Sequence, residues 1–352
     1  MQYVKTDRLT PGMISTRAIF DERGMLLLAA NHTLTTDIIE SMKRIGMSGV
    51  YIYDEYSDFE ELESIVDEKK RHELVSSLRD FKIDQVILLT GAIVDDILAK
   101  DEFMVDLKDL AVYDQSTYEH SVNVATLATA CGIGLGLDND ELKSLALAGA
   151  LHDIGKRAIP KEILNKAGEL SAEERNIMKR HPQLGYDMLY DNNNISSYVR
   201  AGIISHHENY DGTGYPYQLK GEAIPLFARI IHIADVYDAL TKKRVYKPSY
   251  KQSETIEYLM AECGTMFDIQ MVTAFLKYMV VYPVGSDVLL SDGRVAHVVK
   301  NRSSAVMRPV VVTEDKQKLD LAKDYSCLNI TVISEVDKEI SEVIEEREEG
   351  YH

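Results

Sequence analysis

The stretch Leu142-Lys143-Ser144-Leu145-Ala146-Leu147-Ala148-Gly149-Ala150-Leu151-His152-Asp153-Ile154-Gly155-Lys156 decides the fold. Leu142, Leu145, Ala146 and Gly149 recur at the i, i+3, i+4, i+7 spacing of a helix face, which predicts a helix closing on His152-Asp153. A His and an Asp adjacent at a helix end can reach one cation, and the second carboxylate oxygen can bridge to another. Taken alone, the dipeptide fits a capped helix end equally well. Its surroundings decide between the two.

Six of the ten histidines (His120, His152, His181, His206, His207 and His232) fall within residues 101–282. His120 shares a helix face with Val124, Leu127 and Ala128, where a single buried His is usually a hydrogen-bonded core residue. His181 precedes Pro182. His206 and His207 end the helical run Val199 to Ile204 about 100° apart, so they can serve neighbouring ions. Asp235 interrupts the apolar run from Ile230 to Ala234, where an unpaired carboxylate is costly to bury. One shared cation site explains all of these together.

The ordered set His120, His152-Asp153, His181, His206-His207 and Asp235, with Asp211-Gly212-Thr213-Gly214-Tyr215-Pro216 following the histidine pair, resembles the HD-GYP family. The likeness covers about half the chain and includes Arg244-Val245-Tyr246-Lys247. It implies a mainly α protein: an HD-type helical bundle acting as a metal-dependent phosphodiesterase of cyclic dinucleotides, chiefly cyclic di-GMP. By that resemblance His120, His152, Asp153 and Asp235 hold one metal, and Asp153, His181, His206 and His207 the other, with Asp153 bridging. The ligands suit Fe, Mn, Ni or Zn, and the family points to iron or manganese. Some members add a third metal through a Glu four residues before the first His. Here that position is Ser116 and Glu119 lies about 100° away, which favours two metals and the linear product pGpG over complete hydrolysis to GMP.

Two cations about 3.5–4 Å apart lower the pKa of a water between them, so hydroxide is the expected nucleophile. Asp153 and Lys156 are the expected catalytic residues, Lys156 donating to a non-bridging phosphate oxygen. Arg244 supplies a planar fork and Lys247 a point charge for a second phosphate. Tyr215 is placed to stack on guanine or to bond phosphate, and Asp238 to orient a basic residue or contact a base. His232 is assigned to the core or to supporting a ligand.

Around this centre the sequence divides into a small mixed α/β unit (1–57), a helical linker (58–100), the helical catalytic part (101–282), a small β unit (283–334) and an acidic tail (335–352). Expected strands in the β unit are 287–290, 295–300, 309–313 and 328–333. Leu62, Ile65, Val66 and Leu74 offer either a homodimer face or a packing face.

The formal charge of −18 disfavours nucleic-acid polymers and anionic membrane surfaces. Residues 54–68 and 335–352 carry 14 of those charges, whereas 229–251 hold six bases and two acids. A small dianionic nucleotide is therefore compatible with the bulk figure. Cys131, Cys263 and Cys327 are scattered, without a C-x-x-C pair, and the longest apolar run, Val86 to Val94, is too short to span a bilayer. A cytoplasmic location is expected. The alternatives to cyclic di-GMP hydrolysis are a low-turnover cyclic-dinucleotide sensor with signalling partners, and a phosphodiesterase of mixed cyclic GMP-AMP.

Overall fold

In a computed structural model, residues 1–21, 25–54, 56, 65–100, 103–106, 117–166, 168–241 and 250–336 are described. They form two units, one drawn from 1–63, 106–114 and 279–352, the other from 64–105 and 115–278.

In the first unit, β1 (Gln2–Lys5) pairs antiparallel with β4 (Gly49–Ile52), and β2 (Ile19–Phe20) with β3 (Leu26–Leu28). Between them α1 (Thr36–Arg44) starts at Thr35, whose hydroxyl accepts the Ile38 N–H. Leu9, Ile19, Leu34, Met42 and Ile52 fill this core. The later residues build an antiparallel sheet in the order β8-β7-β6-β5-β9, from β5 (Asp287–Leu290), β6 (Val295–Lys300), β7 (Val310–Thr313), β8 (Lys318–Asp320) and β9 (Val332–Val336).

Two details differ from the sequence expectation. The last strand begins at Val332 rather than Leu328, because the Arg308 guanidinium gathers the carbonyls of Leu321, Cys327, Leu328 and Ile330 at 2.6–3.2 Å and holds that backbone out of a ladder. Strand β8 was not anticipated, since three residues are too few to show a period. The early and late segments, read above as separate units, are grouped in one. His297 on β6 joins them, with Nδ1 2.8 Å from Asp287 Oδ1 and Nε2 3.3 Å from Asp54 Oδ2.

The second unit is helical: α2 (Glu68–Arg79), α3 (Ile83–Leu98), α4 (Thr117–Leu135), α5 (Asn139–Leu151), α6 (Lys161–Leu164), α7 (Ala172–Met178), α8 (His181–Leu189), α9 (Ser197–Ser205), α10 (Leu226–Thr241), α11 (Gln252–Ala261) and α12 (Ile269–Leu276). Helix α4 is buried along most of its length, with Val122, Val124, Leu127, Ala128 and Cys131 all fully enclosed, so it forms the axis on which α2, α5, α10 and α12 pack. A reciprocal pair fixes the start of α5: Asp138 Oδ1 accepts the Glu141 N–H and Glu141 Oε2 the Asp138 N–H.

The stretch read as a linker is, from residue 65, part of this unit. Ile65, Val66 and Leu74 are buried within the chain, which makes them packing residues and leaves them no surface for a dimer; Leu62 lies outside the described residues. Among the described residues no helix is long and apolar enough to cross a membrane.

Candidate metal centre

Four helix ends and the middle of a fifth helix converge. His120 stands on the first turn of α4, and His152 caps the C-terminus of α5 with Asp153 beside it. His181 opens α8, His206 caps α9 with His207 following, and Asp235 lies on α10. After Asp153 the chain makes a 3₁₀ turn over Ile154–Ala158. Gly155 permits the approach that this needs: a Cβ there would meet His181 O at 2.0 Å and Gly185 N at 2.4 Å. Any side chain would push the His152-Asp153 turn away from α8.

The histidine orientations are fixed by the main chain. Nδ1 of His152 lies 2.7 Å from Gly149 O, that of His181 2.8 Å from Met178 O and that of His206 2.6 Å from Ile203 O. A nitrogen facing a carbonyl carries the proton, so each Nε2 presents a lone pair. These lone pairs meet one another: His181 Nε2 is 3.3 Å from His206 Nε2 and 3.2 Å from Asp153 Oδ1, and His152 Nε2 is 3.4 Å from Asp153 Oδ2. His120 Nε2 lies 3.0 Å from Asp235 Oδ1 and 3.9 Å from Asp153 Oδ2.

His152 Nε2 and Asp153 Oδ1 are buried without a hydrogen-bond partner. Such an arrangement of acceptors is costly in a protein interior unless a cation sits among them. The donors fall into three overlapping groups, His181/His206/His207, His120/His152/Asp153 and His152/His206/Asp235, each with ligand atoms within 4.8 Å of one another. The set fits divalent metal. Its hard and borderline N/O donors contain no thiolate.

The electrostatics carry the same signature. Burial raises the cost of ionising Asp153, yet Lys156, His152 and His181 hold its carboxyl well below the usual range. Burial, with the neighbouring histidines, drives His206 well below 6.5, and burial takes His207 down to about 3 against the pull of Asp235. For His120, burial is outweighed by the hydrogen bonds and charges of Asp235 and Asp238, which lift it to about 9. A divalent ion would take the place of that proton.

One side of the cluster is open. The side chains of His207 and Lys156 are 22% and 26% exposed, whereas those of His152, Asp153, His181 and His206 are at most 2%. Lys156 contacts Asp153 Oδ2 from this side. The Tyr215 ring stacks on His207, centroids 4.8 Å apart, and Lys179 Nζ lies 5.1 Å from the ring centroid. Burial and the charges of Asp235 and Asp153 push the Tyr215 phenol up, so it stays a neutral donor. One face of the ring is thereby occupied by His207.

Asp238 does not face the open side of the cluster. Asp238, expected at the substrate, is 1% exposed; Oδ1 accepts from Asn123 Nδ2 at 2.8 Å and Oδ2 lies 2.5 Å from His120 Nδ1. It supports a ligand instead of facing a base. His232 is buried with Nε2 3.2 Å from Asn209 Oδ1, in keeping with a supporting place. Ser116, Arg244 and Lys247 lie outside the described residues, as do 337–352 of the acidic tail.

Sequence reasoning missed Glu208. Buried at 1% exposure, its carboxylate accepts the N–H groups of Tyr217 at 2.7 Å and Leu219 at 3.0 Å, which fixes the loop presenting Tyr215. The loop is further constrained at Gly214, where a Cβ would lie 2.2 Å from Asn209 N. Lys179, two residues before His181, was missed as well. The available signal for Glu208 was its place directly after the histidine pair; Lys179 looks like an ordinary surface lysine.

Residues 105–271 match the family model described as HD domain. A cyclic di-GMP phosphodiesterase of Pseudomonas aeruginosa is 40% identical over 244 residues, 68% of this chain and 59% of the relative. The cyclic di-GMP phosphodiesterase response regulator RpfG of Xanthomonas campestris pv. campestris is 47% identical over 144 residues, 41% of this chain and 38% of the relative. The chain thus spans less than two thirds of either curated relative. Among solved structures, an HDG"Y"P protein from Bdellovibrio bacteriovorus superposes with a TM-score of 0.50 at 18% identity, over 78% of this chain and 97% of that one, a likeness of fold.

Proposed function

We propose that this chain, whose residues 105–271 match the HD domain family model, hydrolyses a cyclic dinucleotide, cyclic di-GMP first, to the linear pGpG. The observation carrying this reading is the buried meeting of acceptors: lone pairs of His181 and His206 3.3 Å apart, with His152 Nε2 and Asp153 Oδ1 buried nearby without a hydrogen-bond partner. Relatives named as cyclic di-GMP phosphodiesterases support the substrate class.

Two divalent ions, iron or manganese, held by His120, His152, Asp153 and Asp235 and by Asp153, His181, His206 and His207, would supply an activated water and neutralise charge on the phosphate. The chain does the rest. Carbonyls of Gly149, Met178 and Ile203 keep three imidazoles in the tautomer that leaves Nε2 free to bind. Lys156 donates to a non-bridging oxygen of the attacked phosphate from the open side, and the protonated Tyr215 hydroxyl donates beside it. Arg244 and Lys247 hold the second phosphate. Water adds across P–O3′, hydroxyl to phosphorus and proton to the 3′ oxygen, so one ring linkage opens.

The test is product chromatography after loading with Mn²⁺ or, anaerobically, Fe²⁺, on cyclic di-GMP and on mixed cyclic GMP-AMP. The expected result is conversion of cyclic di-GMP to pGpG with two ions per chain. Absence of hydrolysis of both at full metal occupancy overturns the reading. Faster cleavage of the mixed nucleotide reassigns the substrate, and three tightly held ions overturn the two-metal count.

A further inference from the structure

Arg71 on α2 is 1% exposed and belongs to the largest fully buried side chains, in a segment whose sequence offers no reason for a buried guanidinium. Its Nε and Nη2 donate to Glu119 Oε2 at 3.0 and 2.8 Å. Nη2 also donates to Asn123 Oδ1 at 2.7 Å. From Asn123, Nδ2 donates to Asp238 Oδ1 at 2.8 Å, and Asp238 Oδ2 lies 2.5 Å from His120 Nδ1.

The direction of this chain follows from chemistry. Arginine only donates, so Asn123 must turn its carbonyl to Arg71 and its NH₂ to Asp238. Asp238 only accepts, so His120 Nδ1–H donates to it and Nε2 is left to face Asp235 and Asp153. His152, His181 and His206 have their Nδ1 held by a main-chain carbonyl three residues back in the sequence. His120 relies on side chains from two other helices, ending at Arg71. A second tie joins the same helix to the centre: Arg157, next to Lys156, donates to Arg79 O at 2.8 Å and lies over the Phe81 ring at 5.4 Å.

We propose that Arg71 is a positioning residue for the metal ligand His120, acting through Asn123 and Asp238, and that α2 takes part in the metal centre through this one side chain. This rests on the metal-centre reading above. The test is equilibrium dialysis of the full chain against Mn²⁺, with ion stoichiometry read at each concentration. The wild type must first bind Mn²⁺; if it binds none, the metal-centre reading itself fails.

Arg71→Met paired with Glu119→Gln removes both members of the buried ion pair that ends the relay, with Glu68 and Asp238 remaining as the nearby carboxylates. It is expected to stay folded by circular dichroism and to bind one of its ions about 10–100-fold more weakly, the usual effect of losing a ligand's supporting partner. Activity should recover partly at high Mn²⁺. As a control for general destabilisation, Leu78→Ala on the same helix lowers the melting temperature and leaves Mn²⁺ affinity unchanged. Should the double variant fail to fold, Asn123→Ala interrupts the relay downstream and carries the same expectation. Wild-type Mn²⁺ affinity in whichever relay variant folds overturns the proposal, as does an equal loss of affinity in Leu78→Ala.

Discussion

His297 in the first unit and His206 in the second are both buried among polar groups, yet their surroundings ask for different cations. His297 has an aspartate against each ring nitrogen, Asp287 and Asp54; burial opposes its charge, the two carboxylates outweigh burial, and its pKa rises. A proton completes that site. His206 has Nδ1 committed to a main-chain carbonyl and Nε2 aimed at another lone pair, and burial with its neighbours' charge lowers its pKa far below 6.5. A proton is unwelcome there and a metal is not. What separates His206 from His297 is the main-chain acceptor behind its ring. His120, with Asp238 behind Nδ1 and Asp235 before Nε2, is the member of the cluster that departs from this pattern.

The sharpest way to break that contrast is Asp153→Ala, which removes the oxygen shared by both proposed ions. Turnover should fall about 10³-fold or more, on the several kcal/mol that such ions supply, with loss of at least one bound Mn²⁺. Surviving activity would mean that the cluster is not the site. Next, Lys156→Ala should lower kcat about 10²-fold while Mn²⁺ stoichiometry in dialysis stays unchanged. A parallel loss of metal would instead make Lys156 a support for Asp153.

The other side of the contrast is tested by stability against pH. Because His297 has a raised pKa in the folded state, its contribution is fully present below the ordinary value of 6.5 and is lost as pH rises through the raised one. His297→Gln should therefore cost about 1–2 kcal/mol at about pH 6 and progressively less above it, measured by denaturant melts without metal. The stabilisation added by Mn²⁺ should run the opposite way and grow with pH, because its ligands bind deprotonated. If both slopes have the same sign, the distinction drawn between the two histidines fails. The smallest effect is expected for Glu208→Gln, which keeps one acceptor for the Tyr217 and Leu219 amides and loses the other; kcat/KM should drop less than about tenfold at constant metal content. No change in a steady-state assay would remove Glu208 from the loop's support.

Much of the centre was legible because its ligands sit where the sequence breaks its own pattern. A carboxylate within the apolar run of α10, a His-Asp pair closing the periodic run of α5 and a histidine pair closing α9 are local anomalies, and local anomalies survive in one dimension. Helix α2 was harder: Arg71 reads as one more surface base in a charged segment, and only its burial against Glu119 reveals it. The choice for Asp238 between orienting a basic residue and contacting a base stayed open for the same reason, since spacing puts it one turn from Asp235 but says nothing about which way its oxygens are taken.

By itself the sequence determined the helical class of the central part, the set and order of ligand-type residues, and the concentration of acidic residues in two stretches, because each depends on periodicity, residue chemistry or charge count. Only the tertiary structure decided that residues from 65 onward pack with the helical core, that the early and late segments form one unit, and that Glu208, Asn123 and Arg71 support the site. The physical reason is that these depend on which distant groups meet in a low-dielectric interior. There a hydrogen-bond direction is set by its partner and not by its neighbours in the chain.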